Sequence, residues 1–215
     1  MNKVLLMVLS GALSVGISFN AIAMNQAELA DSMARSAEMK TEKAAMFNND
    51  FERIVKQRTN EGKSVKITGL GSFSKGESTT SMVKNMAYRP GNGKQEFVES
   101  TRWHKVKTTG SVSKSMLVNE LASTGRYTKA EAGRLLDSKI GATKSVMYKG
   151  GSLSDTGGLG SISMVRVAGR SGVTPTGTTY SAPAAYEPRF NPSSASPGLK
   201  FTPAHSFKTF RSSRK

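Results

Sequence analysis

Apolar residues recur at helical spacing in four segments of the chain, and these segments form two similar pairs. Each segment predicts an amphipathic helix, because a period near 3.6 residues places the apolar side chains on one face. Asn25 with Glu28, and Thr128 with Glu131, have the spacing of a capping box and mark two helix starts. The apolar positions are Leu29, Ala30, Met33, Ala34 and Ala37; Met46, Phe47, Phe51, Ile54 and Val55; Leu117, Val118, Leu121 and Ala122; and Leu135, Leu136 and Ile140.

A short glycine motif follows each helical pair. Gly69-Leu70-Gly71-Ser72-Phe73 returns as Gly158-Leu159-Gly160-Ser161-Ile162, 89 residues later. Each copy follows an extended run. Glycine adopts a positive φ without steric cost, so the motif predicts a tight turn between two strands. Ser113 opens the second helical pair 88 residues after Asn25. Two copies at nearly one offset indicate an internal repeat.

Each glycine motif leads into a polar excursion with turn residues at its tip. The first runs from Ser74 to about Lys94 and carries Tyr88-Arg89-Pro90-Gly91-Asn92-Gly93; the second ends at Thr174-Pro175-Thr176-Gly177. Neither has an apolar stripe that would dock it on a core, so each predicts an extended β-arm. The return strands are predicted at Phe97 to Lys107 and at Tyr180 to Phe190.

The two ends of the chain differ in composition from the repeats. Lys3, a following apolar run and Ala21-Ile22-Ala23 are the three regions of a signal peptide in order, which predicts export to the periplasm or beyond. Met24 also has the look of a natural protein start, so a cytoplasmic nucleoid protein that begins there is the alternative. The predicted segments are a signal peptide at 1–23, repeats at 24–110 and 111–197, and a basic flexible tail at 198–215.

The chain is strongly basic. Its 31 Lys/Arg against 15 Asp/Glu give a formal net charge of +16, which favours a polyanionic partner, nucleic acid ahead of anionic membrane. Residues 24–110 hold 15 Lys/Arg and 10 Asp/Glu, whereas residues 111–215 hold 15 and 5. The second half should therefore supply more of the attraction to a polyanion. The chain has no cysteine, which excludes disulfides and thiol chemistry.

The sequence carries no catalytic constellation. Its two histidines, His104 and His205, stand in unrelated contexts without metal-ligand spacing, and no nucleophile set or phosphate loop opens a helix. We therefore expect no enzyme, no metal site, no cofactor and no small-molecule substrate.

The order of elements and several motifs resemble the HU/IHF family of bacterial histone-like DNA-binding proteins. The resemblance rests on the Met-Asn-x-x-Glu-Leu pattern at 24–29, on both glycine motifs, and on residues 168–177, which are similar to the family's A-R-x-G-x-N-P-x-T-G arm. Residues 182–184 and 188–192 are similar to its return segment. The resemblance covers nearly all of residues 24–200, and the first arm is the looser match.

The resemblance implies an α+β fold of two tandem HU/IHF-like units, each a helical pair plus a small antiparallel sheet with an extended β-arm. It also implies the family's activity, which is sequence-tolerant binding and bending of double-stranded DNA through arms in the minor groove. HU-type proteins are intertwined dimers. The two repeats should therefore pair as one pseudo-dimer, and the sequence leaves open whether they do so within one chain or between two.

The same resemblance suggests which residues would contact DNA. Pro90 and Pro175 would be rigid apolar wedges between base pairs, and the alternative is that both are plain turn prolines. Basic residues near them would contact phosphates, and the alternative is ordinary surface solubility. These basic residues are Lys84, Arg89, Lys94, Arg166 and Arg170 on the arms, and Arg102, Lys105, Lys107, Arg189 and Lys200 on the return strands and tail.

One rival function from another class remains open at this point. An exported basic structural protein could bind anionic polysaccharide, lipid or extracellular DNA. Preferential binding of bent or nicked DNA over heparin would distinguish the DNA-bending protein from this rival.

Overall fold

The computed structural model describes residues 23–84, 97–105, 108–154, 158–174, 176–182 and 185–204. We call residues 23–105 the first half and residues 108–204 the second half. The elements of the first half are β1 (Ala23–Met24), α1 (Gln26–Ala37), α2 (Thr41–Asn60), β2 (Lys63–Ile67), β3 (Gly71–Lys84) and β4 (Phe97–Lys105). Those of the second half are β5 (Gly110–Val112), α3 (Lys114–Ser123), α4 (Lys129–Tyr148), β6 (Ser152–Leu153), β7 (Gly160–Val167), β8 (Arg170–Val173), β9 (Thr179–Ala182), β10 (Ala185–Pro192) and β11 (Leu199–Pro203).

Two helices begin at the predicted capping boxes. Asn25 Oδ1 accepts a hydrogen bond from the Glu28 backbone N–H at 3.0 Å, and Glu28 Oε2 accepts one from the Asn25 N–H at 2.8 Å. Thr128 and Glu131 form the same reciprocal pair at 3.2 and 2.9 Å. These bonds satisfy N–H groups that the first turn of a helix leaves without partners. The predicted starts of α1 and α4 are confirmed.

The helices of both halves bury their apolar faces in one shared core. α1 packs against α2 of its own half and against α4 of the other. Most residues of the predicted stripes are buried, with Phe47 and Leu135 fully inaccessible, whereas Val118 and Ala122 are half-buried. Met46 is 44% exposed, and the prediction for it was wrong. Since burial of apolar surface is the main favourable term in folding, a shared core holds the halves together. In this structure the two halves pair with each other within one chain.

The two halves also exchange short strands. β1 precedes the first helical pair but pairs in parallel with β6 of the second half, so that Met24 lies opposite Leu153. β5 precedes the second helical pair and pairs in parallel with β2, so that Val112 lies opposite Val65. Val112 lies 88 residues after Met24, and Leu153 lies 88 residues after Val65. This exchange follows a pseudo-twofold axis that relates residues 88 apart in the helical regions.

The segment after residue 198 corrects one prediction. It was expected to begin a flexible tail, but β11 is an ordered strand that pairs antiparallel with β3 of the first half. β4 covers β3 only from Gly76 to Lys84, which leaves the edge at Gly71–Lys75 open. An open edge presents unpaired N–H and C=O groups, and β11 satisfies them. Residues 205–215 lie outside the described residues.

β11 copies the strand that completes the other sheet. In the second half, β10 places Phe190 opposite Ile162 and Pro192 opposite Gly160. In the first half, β11 places Phe201 opposite Phe73 and Pro203 opposite Gly71. The two strands share the pattern basic-Phe-polar-Pro, at residues 189–192 and 200–203. The second half thus supplies its own closing strand and also the equivalent strand of the first half.

The glycine motifs form the predicted turns. The first and second glycine of each motif are required for different reasons. Gly69 and Gly158 have φ of 85° and 89°, the left-handed region that glycine tolerates. Gly71 and Gly160 make room for the closing strands. A Cβ on Gly71 would lie 2.4 Å from the Thr202 carbonyl oxygen, and one on Gly160 would lie 2.1 Å from that of Asn191.

Candidate nucleic-acid interface

Side-chain alternation gives the two sheets an inner and an outer face. Phe73, Phe190 and Phe201 point to the inner face and meet with ring centroids 4.9 to 6.1 Å apart, packed against the helical core. Arg189 and Lys200 each precede one of these phenylalanines by one residue. They therefore lie on the outer face, at equivalent positions of β10 and β11.

Arg189 and Lys200 border one open hollow between the two closing strands. The hollow has a volume of about 450 Å³, Arg189 is exposed and Lys200 is half-buried. Its remaining lining comes from Pro188, Phe190, Pro192, Gly198, Leu199, Phe201 and Thr202. A basic side chain on each strand can contact phosphate groups that lie at this hollow. The two predicted residues are thus brought together by the structure.

Lys66 is a basic residue of the outer face that the sequence analysis missed. It is exposed in β2 between buried Val65 and Ile67, and it lies opposite Ser72. It borders a second hollow of about 340 Å³. The other residues lining this hollow are Ser64, Ser72, Ser74, Thr108, Gly110, Ser111 and Thr202. Hydroxyl groups donate to phosphate oxygens. The alternation of apolar, basic and apolar residues along 65–67 was the sequence signal that places Lys66 on the outer face.

The first arm is a two-stranded ribbon of β3 and β4. Its pairing runs from Gly76 opposite Lys105 at the body to Lys84 opposite Phe97 at the far end. Nine residue pairs at about 3.3 Å per residue give a ribbon roughly 30 Å long. The predicted contact residue Arg102 lies on β4. Pro90, Arg89, Lys94 and Lys107 lie outside the described residues.

The second arm continues from β7 and β10 into the ribbon of β8 and β9. Exposed Arg166 lies on β7 and Arg170 is the first residue of β8. At the tip the Thr174 N–H donates to the Thr178 carbonyl at 2.8 Å, and the Thr178 N–H donates to Thr174 Oγ1 at 3.0 Å. These bonds close the turn around Pro175, which itself lies outside the described residues.

Two apolar side chains near this tip were not predicted as contacts. Val173 is 64% exposed and Tyr180 is 49% exposed. Tyr180 lies opposite Gly172, and a Cβ built on Gly172 would lie 2.9 Å from the tyrosine hydroxyl oxygen and 3.0 Å from two ring carbons. The tyrosine ring thus covers the glycine. Exposed apolar groups on an arm made mainly of Ser, Thr and Gly were the signal that sequence analysis passed over.

The positive charge of the chain is concentrated outside the helices. The helical segments 26–61 and 114–149 hold 13 Lys/Arg and 10 Asp/Glu, a net charge of +3. The sheet, arm and tail segments 62–113 and 150–215 hold 17 and 5, a net charge of +12. The excess positive charge therefore lies in the sheet, arm and C-terminal segments of the sequence.

Several helical carboxylates are neutralised by ion pairs. Arg58 and Lys63 bond to the Glu61 carboxylate and lower its pKa to about 2. A hydrogen bond from Lys43, together with the Thr128 N–H, lowers the pKa of Glu131 to about 2. Nearby opposite charges favour the ionised form of both carboxyl groups.

Within the described ranges there is no group of three or more His, Cys, Asp or Glu side chains placed to hold a metal ion. In the same part of the chain, no helix combines the length and the apolar character needed to cross a membrane.

Comparison with known proteins gives one positive result. A protein-family model described as "Bacterial DNA-binding protein" matches the chain twice, at residues 24–102 and 112–197. The two matches correspond to the two repeats. No curated protein sequence is similar enough to count as a match.

Proposed function

The chain belongs to the bacterial DNA-binding protein family, that of HU and IHF, and on that premise we propose that it is a sequence-tolerant architectural protein that bends duplex DNA. The helical core serves as the scaffold. The outer face of the two sheets receives the duplex, and the two β-arms extend along its minor groove.

The observation that carries this proposal is the equivalent placement of Arg189 and Lys200. A duplex is a regular array of phosphates, and a pseudo-twofold protein binds it best with equivalent cations on both sheets. The chain obtains the second cation from β11. Lys66 and the neighbouring hydroxyl groups add donors on the same face. These contacts would fix the position of the duplex without reading its sequence.

Bending would come from the arms. Minor-groove architectural proteins insert apolar side chains between base pairs, and the kink lets the duplex touch more of the protein. In the sequence, Pro175 falls between Thr174 and Thr178, whose backbone groups bond to each other, and Pro90 falls between β3 and β4. Exposed Val173 and Tyr180 support an apolar tip.

The test is a titration of labelled duplex over a range of salt concentrations. The logarithm of the binding constant should fall linearly with the logarithm of salt concentration, with a slope of about −0.9 per phosphate neutralised, for roughly five to ten phosphates. Heparin and anionic lipid vesicles are the competitors. A salt-independent affinity, or heparin preferred over bent duplex, would overturn the proposal and favour the exported structural protein.

We further propose that the working protein begins at Met24. The first 23 residues would be a cleaved signal peptide, which places the protein outside the cytoplasm with extracellular DNA as its substrate. In the alternative, translation starts at Met24 and the protein belongs to the cytoplasmic nucleoid. Both forms keep the pairing of Met24 with Leu153.

A further inference from the structure

We propose that the two halves of this chain recognise each other specifically, so that a first half pairs with a second half and rejects another first half. The partner of each surface is thus the other half of the same sequence. This inference concerns assembly, and it holds whether or not the protein bends DNA.

Equivalent residues face each other at the pseudo-twofold axis. Lys43 and Glu131 are 88 residues apart and occupy the same position of α2 and α4. Lys43 Nζ lies 2.6 Å from Glu131 Oε1. In a pair of first halves, Lys43 would face a second Lys43. In a pair of second halves, Glu131 would face a second Glu131. Both like pairs place equal charges together, whereas the mixed pair places opposite ones.

A second axial pair lies inside the core. Phe51 and Lys139 are also 88 residues apart, and Lys139 Nζ lies 4.9 Å from the Phe51 ring centroid. Lys139 Nζ donates a hydrogen bond to Asn48 Oδ1 at 2.8 Å, and Lys139 and Glu52 are each only 4% exposed. Burial lowers the pKa of Lys139 to about 8, and the nearby Glu52 carboxylate opposes that shift.

Like pairing would remove the partners of this buried lysine. The positions equivalent to Asn48 and Glu52 in the second half are Leu136 and Ile140. Two second halves would therefore bury two copies of Lys139 against apolar side chains. Two first halves would bury two Glu52 side chains without this lysine. An uncompensated buried charge is among the most destabilising features a protein can contain.

A third asymmetry lies beside the core. Asp50 is buried, and its Oδ2 accepts hydrogen bonds from Tyr127 Oη at 3.1 Å and from an Arg126 guanidinium nitrogen at 3.2 Å. The residues of the first half equivalent to Arg126 and Tyr127 are Glu38 and Met39. In a pair of first halves, Asp50 would lose both hydrogen-bond donors and would face the Glu38 carboxylate and the Met39 thioether instead.

The closing strands give a fourth asymmetry of another kind. The first half lacks a strand for the edge Gly71–Lys75, and the second half carries β11 in addition to β10. Two first halves would leave two edges open, and two second halves would have two strands without an edge. Charges, buried polar groups and strand number all favour the mixed pair.

The test uses the folded chain with a protease recognition sequence inserted after Lys107, between β4 and β5. The purified protein is cleaved, unfolded in urea, refolded by dilution and weighed by native mass spectrometry. We expect the amount of the mixed pair to exceed that of all like pairs by at least about tenfold. A free-energy difference of only ~1.4 kcal/mol between the pairs produces one factor of ten. First-half, mixed and second-half pairs near the statistical ratio of one to two to one would overturn the proposal.

A double substitution tests the contribution of the buried cluster. Glu52→Leu with Lys139→Leu removes both charges together, and buried ion pairs replaced by apolar residues often keep full stability. The intact variant should remain folded, although Asn48 Oδ1 loses its donor, while the cleaved variant should form several-fold more like pairs. The control exchanges two exposed charges, Glu42→Leu with Lys129→Leu, and should leave the pairing unchanged. A stable double variant with no added like pairs would contradict the role of the cluster.

Discussion

Lys200 lies opposite Ser74 in the first sheet in the same register in which Arg189 lies opposite Ser163 in the second. The two basic residues are only 11 positions apart in the sequence, yet they serve different sheets. Within one chain, the repeated strand places a basic residue at the equivalent position of each sheet. The outer face of each sheet therefore carries one of these two basic residues.

Arg189→Ala and Lys200→Ala should weaken DNA binding to a similar extent. Each removes one phosphate contact, so the salt slope should become less steep by about one unit in either variant. Fluorescence anisotropy at four salt concentrations measures this. Lys129→Ala, at an exposed position where α4 begins, is the control and should leave the slope unchanged. An unchanged slope in both strand variants would remove the outer face from the interface.

Pro175→Ala should reduce the bend angle more than the affinity for straight duplex. The turn should survive, because its hydrogen bonds join Thr174 to Thr178 and do not involve the proline ring. Arg166 remains available for phosphate contact. Fluorescence energy transfer between duplex ends gives the angle, and a thermal melt shows that the fold is intact. Pro90→Ala should act in the same direction but more weakly. Full bending by the double variant would show that both prolines are only turn residues.

Phe201→Ala should destabilise the chain by roughly 2 kcal/mol. The ring is half-buried and lies 4.9 Å from the Phe73 centroid, so the change removes apolar burial and an aromatic contact that tie β11 to the first sheet. Urea unfolding followed by circular dichroism measures the loss. The neighbouring Thr202 is exposed, and Thr202→Ala should change stability by less than about 0.5 kcal/mol. Equal effects of the two substitutions would argue against an ordered β11.

Glu131→Gln should flatten the dependence of stability on acid pH. Lys43 and the Thr128 N–H hold the pKa of the Glu131 carboxyl at about 2, below its ordinary 4.5. This group therefore stabilises the fold fully above pH 4.5, and the contribution is lost as pH falls toward 2. Glutamine can still accept the capping hydrogen bond but cannot titrate. The melting temperature of this variant should fall less between pH 6 and pH 3 than that of the wild type. Glu42→Gln is the control, and its melting temperature should fall as much as that of the wild type.

Mass spectrometry of the protein from its native source should find a mature chain that begins at Met24. Cleavage after Ala23 removes one residue of β1 and keeps the pair of Met24 with Leu153, so the processed fold is complete. Recovery outside the cytoplasm is expected if residues 1–23 are a signal peptide. An intact Met1 on the folded protein would contradict the prediction.

Local signals in the sequence determined most of the architecture. The capping boxes at Asn25 and Thr128, the apolar stripes and the glycine turns each depend on residues within a few positions of one another. For this reason α1, α2, α3 and α4 and the strand β2 before the first glycine turn could be predicted, whereas the short strands β1 and β5 were not. The repeat itself implied the pseudo-twofold axis, and the family resemblance suggested Arg189 and Lys200 as DNA contacts.

Tertiary structure alone decided how the halves are joined. Strand exchange depends on which edges remain open, and the open edge at Gly71–Lys75 exists only because β4 ends its pairing at Gly76. No local pattern could assign β11 to a sheet more than a hundred residues earlier. The burial of Lys139 beside Asn48 is equally non-local. A lysine becomes a core residue only when a partner half supplies its acceptor, because a buried ammonium group requires one.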